Sequence, residues 1–367
     1  MKNVCIVLKK NVTVHDGGES AVIDAFYLCG YPFEEIRLLS QANEKKIREV
    51  IGALKLEYEN ILLLADKTAL PIVKGYLAGV FAENAQVIAF GNAGVYAEKK
   101  CSLFLLSSDN GETGVAFVKN ACSPYLQKKY GLRFEEIVVR SVGASEEKVR
   151  SLLYEAERIT AGKVRINHYR KYDEDVIGIV YDSTTPKMLV DDVLRLFADG
   201  LKDTVYALND VSLEEQLVTI LKLRNKKISV AESFTGGGIA RRITSVSGAS
   251  AVYFEGVNTY DERSKIKRLG VSEMGIRTVG AVSEQTAYEM ALGLLNTGDC
   301  DIAIATTGLA GPKSDRSMLP VGLCFIAVGT KEKVYVYRYK FDGNRTDITE
   351  KAINYALFMA FKHLKNM

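Results

Sequence analysis

Short β-rich runs alternate with helix-like runs along the first 131 residues. The β-rich runs lie at residues 3–8, 35–40, 60–66, 86–91 and 101–108. Apolar residues recur at helical spacing at residues 19–31, 43–58, 69–82 and 114–131. When a helix connects two neighbouring strands of one sheet, the two strands run parallel. The alternation therefore predicts a largely parallel sheet in a doubly wound α/β domain over residues 1–131.

A different arrangement is expected in residues 132–208. Strand-like runs occur at 134–143, 163–172 and 175–183. Two helices accompany them, one capped by Ser145 and one with Pro186 in its first turn. The last two strand-like runs are close in sequence, so we expect them to pair with each other. These elements predict a small α+β domain.

A third domain is predicted over residues 209–367. Ser212 and Glu215 form the S-x-x-E capping box that opens many helices. Further strand-like runs lie at residues 227–231, 251–260, 301–307, 321–329 and 333–341. Helices are expected after residues 235–237, after residues 281–283 and at residues 346–365. The alternation again predicts an α/β domain, and 367 residues are too many for one ordinary core.

Composition and charge exclude several classes of function. A net charge of +3 is small for 367 residues, so no strong attraction to nucleic acid or to a membrane surface is expected. The chain has no run of about 18 apolar residues that could span a bilayer. Its 6 cysteines form no CxxC pair, which indicates reduced, buried thiols in a cytoplasmic protein. No zinc-ligand spacing occurs, so we expect no metal site.

The segment A-E-S-F-T-G-G-G at residues 231–238 is the strongest candidate for a functional site. It places a serine and a glycine-rich turn between a strand and a helix. The first N–H groups of a helix lack partners within it, so they can bind a phosphate or stabilise an oxyanion. Gly236 and Gly237 would let a ligand approach the backbone closely. Two interpretations of Ser233 remain open: a nucleophile, or, like Thr235, a residue that caps the helix.

A serine nucleophile needs a base, and histidine is poorly placed to supply it. Of the 3 histidines, His363 alone lies in the last predicted domain, close to the chain end. A desolvated lysine is the next candidate, since burial favours the neutral amine. Residues 258–270 offer Tyr260, Lys265 and Lys267 directly after a strand-like run. From pattern alone, a solvated helix lysine remains the alternative for Lys265.

Five motifs occur together and in order in residues 212–367: V-A-E-S-F-T-G-G, G-V-N-T-Y-D-E-R-S-K, G-A-V-S-E-Q-T-A, A-T-T-G-L-A-G-P and P-V-G. In this combination the segment resembles the C-terminal domain of the CinA family, the nicotinamide-nucleotide amidases. The resemblance implies a three-layer α/β/α amidase domain that converts nicotinamide mononucleotide to nicotinate mononucleotide and ammonia. It also implies an enzyme without a cofactor, which binds a small nucleotide and forms a homodimer.

The family's catalytic residues fall on matching positions of this chain. Its serine nucleophile falls on Ser233, its tyrosine on Tyr260 and its lysine on Lys265. The implied mechanism has Lys265 take the Ser233 proton directly or through Tyr260, while N–H groups at the helix start stabilise the oxyanion. The resemblance thereby favours the nucleophile over the cap as the role of Ser233.

A second set of positions is implied to bind the substrate. The set comprises Thr235, Gly236, Gly237, Thr307, Gly308 and Arg345. Thr307 and Gly308 open the family's T-G-x-A-G-P loop, which continues here to Pro312. Arg345 occupies the place of an arginine in a G-D-R stretch and is a candidate for binding the phosphate. A solvated arginine at a helix start is the alternative.

The chain departs from the family pattern at three places. Phe234 replaces the usual cysteine, Asn344 replaces the usual aspartate, and residues 313–319 replace part of an acidic, glycine-rich loop. These departures bear on substrate affinity more than on the nucleophile. They leave open a second interpretation, a catalytically drifted protein that binds nucleotides or has a regulatory role.

The first two predicted domains resemble other parts of the same proteins. Residues 1–131 resemble a degenerate molybdopterin-binding-like domain, and residues 132–208 resemble the KH-like middle domain. Full-length relatives can hydrolyse ADP-ribose with the first domain and a divalent metal, which is a third, weaker interpretation. The glycines and acidic ligands for that reaction are missing here, so we expect a catalytically silent first domain. The KH-like region has no G-x-x-G clamp, so RNA binding is not expected.

Overall fold

The computed structural model describes residues 1–9, 18–40, 43–67, 69–77, 80–81, 86–90, 93–98, 100–312 and 318–367. The chain divides into two compact units. One comprises Met1–Glu136, Lys163–Arg165 and Val180–Val190, and the other comprises Ile137–Gly162, Ile166–Ile179 and Asp191–Met367. The described residues form three sheets, one within each predicted domain range. The division into three domains itself stays a prediction.

The first sheet has six strands in the order β2-β1-β3-β6-β5-β4. They are β1 (Asn3–Lys9), β2 (Glu35–Ser40), β3 (Asn60–Ala65), β4 (Gln86–Phe90), β5 (Ala93–Ala97) and β6 (Ser102–Ser107). The strands β2, β1, β3 and β6 are parallel to one another. At one edge, β5 pairs antiparallel with β6, and β4 pairs antiparallel with β5. The largely parallel sheet predicted from the sequence is confirmed.

Helices cover both faces of this sheet. They are α1 (Glu19–Leu28), α2 (Glu44–Glu57), α3 (Leu70–Leu77), α4 (Gly111–Phe117) and α5 (Ser123–Tyr130). Alternate residues of β1 enter two separate cores, Ile6 against α2 and α3, and Cys5 against α1 and α4. The helix predicted at residues 114–131 is confirmed as one continuous helical segment, in which a π-helical turn at Val118–Cys122 joins α4 to α5. The doubly wound α/β fold is confirmed.

The second sheet has four strands in the order β10-β7-β9-β8. They are β7 (Phe134–Val142), β8 (Arg165–Lys171), β9 (Glu174–Asp182) and β10 (Val205–Ala207). Two helices accompany the sheet, α6 (Glu146–Thr160) and α7 (Lys187–Gly200). Ser145 caps α6 as predicted, because its hydroxyl accepts the N–H of Lys148 at 3.3 Å. The predicted α+β arrangement and the pairing of β8 with β9 are confirmed.

The third sheet has five strands in the order β12-β11-β13-β14-β15. They are β11 (Ile228–Glu232), β12 (Tyr253–Asn258), β13 (Ile302–Gly308), β14 (Leu323–Gly329) and β15 (Val334–Lys340). The strands β12, β11 and β13 are parallel to one another. β14 pairs antiparallel with β13, and β15 pairs antiparallel with β14. The carboxyl ends of β12, β11 and β13 therefore meet at one edge of the sheet.

Two layers of helices enclose the third sheet. They are α8 (Leu213–Leu223), α9 (Gly238–Ser245), α10 (Glu262–Leu269), α11 (Glu273–Val279), α12 (Glu284–Asn296) and α13 (Arg345–Asn366). Val230 faces the core formed with α8, α9 and α13, whereas Ala231 faces the core formed with α10, α11 and α12. The three-layer α/β/α arrangement is confirmed, as is the capping box of Ser212 and Glu215. No helix in the described ranges is long and apolar enough to cross a bilayer.

Candidate active site

Ser233 lies at the carboxyl end of the strand β11. The Ser233 N–H donates to the Thr306 carbonyl of β13 at 3.1 Å. On the other side of β11, the Thr259 N–H donates to the Glu232 carbonyl at 2.8 Å. The ends of three parallel strands therefore surround Ser233. Ligands of α/β proteins commonly bind at this edge of the sheet.

A tight turn follows Ser233. The N–H of Gly236 returns to the Ser233 carbonyl at 3.1 Å, and the N–H of Gly238 donates to the Thr235 carbonyl at 3.0 Å. Gly236 and Gly237 have φ values of +62° and +94°, a region that residues with a side chain rarely adopt. These two glycines therefore let the backbone reverse direction between β11 and α9.

Glu232, which the sequence patterns did not single out, occupies the N-terminal end of α9. Its carboxylate accepts the N–H groups of Gly237 at 3.0 Å, Ile239 at 3.1 Å and Ala240 at 2.9 Å. The expectation that these helix-start groups bind an oxyanion or a phosphate is therefore wrong. A signal was present, since acidic groups are favoured at helix N-termini and Glu232 directly precedes the turn.

Thr235 does not cap α9, contrary to the expectation. Its hydroxyl is hydrogen-bonded to the hydroxyl of Thr306 at 2.7 Å, and the N-cap residue is Gly237. Within the described ranges, the backbone N–H groups of Phe234 and Thr235 donate to no protein acceptor. These two N–H groups are therefore free to donate to a bound ligand or to water.

Lys265 reaches Ser233 from α10. Its Nζ lies 3.0 Å from Oγ of Ser233, 2.7 Å from the Thr259 carbonyl oxygen and 3.2 Å from the Tyr260 carbonyl oxygen. Lys265 is 2% exposed. The alternative of a solvated helix lysine is therefore wrong.

Burial makes the neutral amine of Lys265 more accessible than that of an exposed lysine. Burial lowers the pKa of Lys265 from 10.5 to about 8, against the opposing effect of the Glu262 and Asp261 carboxylates. A neutral amine has two N–H donors and one lone pair. In the ammonium form, Nζ donates to Oγ of Ser233 and to both carbonyls. Once one proton is lost, the two carbonyls can accept the two remaining N–H groups, which leaves the lone pair for Oγ of Ser233. The arrangement suits a base that accepts the serine proton.

A cleft of about 270 Å³ opens beside Ser233 and Lys265. Of the residues expected to bind substrate, Thr307, Gly308 and Arg345 line this cleft, whereas Thr235, Gly236 and Gly237 are not among its described lining residues. The Thr307 hydroxyl donates to the Ala281 carbonyl at 2.7 Å, which ties the end of β13 to the segment before α12. Three of the six residues expected to bind the substrate therefore line the cleft.

Phe234 and Gly308 shape one wall of the cleft. A Cβ atom at position 308 would lie 2.5 Å from Cβ of Cys324 and 2.9 Å from the Phe234 ring, so a larger residue would not fit without a shift. The Phe234 side chain is buried and packs against Cys324 and Phe341. Phe234 therefore forms a fixed apolar surface, and its contacts leave the Ser233–Lys265 pair intact.

Tyr260 and Arg345 meet at the cleft. Nη2 of Arg345 donates to the Tyr260 hydroxyl at 2.9 Å, and Nη1 donates to the Gly311 carbonyl at 2.8 Å. The Tyr260 hydroxyl is thus engaged with Arg345 and does not stand between Lys265 and Ser233. Of the two proton routes implied by the resemblance, the described contacts contain only the direct one.

Another departure from the family pattern, Asn344, lies at the start of α13. The Asn344 side chain caps α13, accepting the N–H groups of Thr346 at 2.8 Å and Asp347 at 3.1 Å. An asparagine performs this capping as well as the family's aspartate would. Residues 313–317 of the altered loop lie outside the described residues.

Comparison with known proteins identifies the family of this chain. The family model described as the CinA C-terminal domain matches residues 210–364, a range that contains the whole cleft described here. A crystal structure of the competence/damage inducible protein CihA from Agrobacterium tumefaciens is 36% identical and covers 42% of this chain and 93% of that one, with a TM-score of 0.40.

Curated relatives extend the similarity beyond this range. A competence-damage inducible protein of Caldicellulosiruptor saccharolyticus is 35% identical over 245 residues, which are 66% of this chain and 60% of that protein. The match thus spans less than two thirds of that relative. A protein of the same description from Clostridium beijerinckii is 31% identical over 323 residues, covering 81% of this chain and 77% of the relative. The chain therefore belongs to the CinA family.

Proposed function

We propose that this chain is an amidohydrolase that converts nicotinamide mononucleotide to nicotinate mononucleotide and ammonia. The observation that carries the proposal is the buried amine of Lys265, 3.0 Å from the Ser233 hydroxyl at the side of an open cleft. A serine paired with a neutral amine is an activated nucleophile. The resemblance to nicotinamide-nucleotide amidases supports a carboxamide as the group attacked.

In the proposed reaction, Oγ of Ser233 attacks the carboxamide carbon while its proton passes to Nζ of Lys265. The oxygen of the tetrahedral intermediate accepts the N–H groups of Phe234 and Thr235. The C–N bond then breaks, and the Lys265 ammonium returns its proton to the departing amine, which leaves as ammonia. Lys265 next deprotonates a water molecule, whose attack on the ester releases the carboxylate and restores the Ser233 hydroxyl.

Arg345 is the proposed partner of the substrate phosphate. It lines the cleft, and two of its hydrogen bonds, to Tyr260 and Gly311, fix the direction of the guanidinium. A guanidinium carries five N–H donors, so donors remain for a phosphate oxygen. Binding of the phosphate there would hold the nucleotide at a set distance from Ser233.

Product analysis tests the proposed function directly. The full chain, incubated with nicotinamide mononucleotide and a metal chelator, is expected to release ammonia and nicotinate mononucleotide in equal amounts. Nicotinamide riboside, which lacks the phosphate, is expected to react with a higher KM. Binding of the nucleotide without release of ammonia would contradict the proposal and favour the drifted, regulatory interpretation.

The rate of ammonia release is expected to rise with pH and to level off above about pH 8. The reason is that burial lowers the pKa of Lys265 to about 8, and only the neutral amine can accept the serine proton. Below this pKa the neutral fraction falls tenfold per pH unit, so kcat/KM at pH 6 should be about 1% of its plateau. The measurement is kcat/KM between pH 6 and pH 10 at constant ionic strength.

Circular dichroism over the same pH range is the control for unfolding. A midpoint near pH 6.5, the ordinary pKa of histidine, would indicate a different base. A rate that does not change between pH 6 and pH 8 would equally contradict the role of Lys265.

A further inference from the structure

Glu232 is a buried acidic side chain that takes no part in the proposed bond-making steps. It is 1% exposed, and no lysine or arginine in the described ranges forms an ion pair with it. Three N–H groups at the start of α9 stabilise its carboxylate, together with the positive end of the helix. A buried carboxylate without such partners would be unfavourable, so this carboxylate and the helix start hold each other in place.

This contact acts on the turn that presents Ser233. Glu232 directly precedes Ser233, and the first N–H group that its carboxylate accepts belongs to Gly237, at 3.0 Å. The carboxylate therefore closes a ring around residues 233–236. This ring contains the hydrogen bond between Ser233 and Gly236. It also contains the N–H groups of Phe234 and Thr235, which donate to no protein atom in the described part of the chain.

Occupation of the helix start has a second consequence. The N–H groups of Gly237, Ile239 and Ala240 are already engaged, so they cannot donate to a substrate oxygen. Stabilisation of the oxyanion by this segment must then come from the turn itself. The orientation of the turn depends on the side chain that anchors its far end.

We propose that Glu232 is a positioning residue that directs the N–H groups of Phe234 and Thr235 toward the oxygen of the attacked carbonyl. The expected effect of Glu232 on kcat rests on the proposed amidase function. Its expected effect on the conformation of the turn does not. Glu232 acts through the turn, and proton transfer remains with Lys265. Its loss should therefore reduce kcat and leave the pH dependence unchanged.

The test compares Glu232→Gln with the matched control Glu214→Gln in the full chain. Glutamine keeps the size of the side chain but directs an NH₂ group at backbone donors. Glu214 also anchors α9, since its carboxylate accepts a hydrogen bond from Arg242 at 2.5 Å, five residues after Gly237. The control therefore reports the effect of loosening the same helix away from the turn.

The structural readout is hydrogen exchange, measured on peptides that cover residues 233–241. Glu232→Gln is expected to speed exchange of the Gly237, Ile239 and Ala240 amides by about tenfold or more, because a hydrogen bond to a charged acceptor is lost. Glu214→Gln should leave these amides at their wild-type rates. Equal protection in Glu232→Gln and in the wild type would overturn the inference, whether or not the protein releases ammonia.

The kinetic readout is ammonia release from nicotinamide mononucleotide. Glu232→Gln is expected to lower kcat by about 100-fold, the typical effect of losing one oxyanion donor, with the midpoint of the pH profile unchanged. A loss of kcat no larger than that of Glu214→Gln, or a shifted midpoint, would overturn the inference. If the wild type itself releases no ammonia, the proposed function fails, and hydrogen exchange alone judges the role of Glu232.

Discussion

Replacement of Ser233 by alanine is expected to reduce ammonia release from nicotinamide mononucleotide by about 10⁴-fold or more. Without Oγ no acyl-enzyme can form, and Lys265 has no hydroxyl from which to take a proton. The free energy of unfolding should change by less than about 1 kcal/mol, since the Ser233 backbone keeps its hydrogen bond to Thr306. The measurements are single-turnover ammonia release and denaturant unfolding.

Ser229→Ala is the matched control for this variant. Ser229 is buried four residues earlier on β11 and does not line the described part of the cleft. Its replacement should leave kcat within about threefold of the wild type, as expected for a residue remote from the chemistry. Ammonia release by Ser233→Ala at the wild-type rate would rule out the nucleophile assignment.

Replacement of Lys265 by methionine is expected to lower kcat by about 10³-fold to 10⁴-fold. Methionine retains the apolar stem but has no lone pair on nitrogen to accept the proton. The rising limb of the pH profile that is centred near pH 8 should disappear with it, because that limb reports the Lys265 amine. The measurements are kcat, and kcat/KM between pH 6 and pH 10, for both proteins.

Lys267→Met is the control for the loss of a positive charge from α10. Lys267 is exposed two residues further along the same helix, so its replacement should leave both kcat and the pH midpoint unchanged. If Lys265→Met kept a rising limb with the wild-type midpoint, another group would have to be the base.

Most helices and strands followed from local patterns. The buried strand β3 contains the apolar run I-L-L-L-A, and β13 begins with I-A-I-A. Ser145 and the Ser212–Glu215 capping box marked the starts of two helices. The strand β10 was missed because it spans only three residues. Such a short strand leaves too little sequence for a periodicity to emerge.

The candidate site was only partly predictable. Ser233 could be singled out because a serine stands between a strand and a glycine turn, and the choice of Lys265 over a solvated lysine needed the family resemblance. Glu232 was missed, although an acidic residue shortly before a helix is a recognised pattern, because the apolar run of β11 marks it only as a strand residue. The homodimer and the catalytically silent first domain stay predictions.

The order of strand, turn and helix around Ser233 is a property of local sequence, since apolar periodicity and glycine conformations act over a few residues. Proximity and burial are properties of the folded domain. Lys265 lies 32 residues beyond Ser233, and packing of α10 against the sheet brings its amine to 3.0 Å from Oγ. The same packing excludes water and lowers the Lys265 pKa. Distances between remote residues and the dielectric around a charge arise from long-range packing, which no local pattern records.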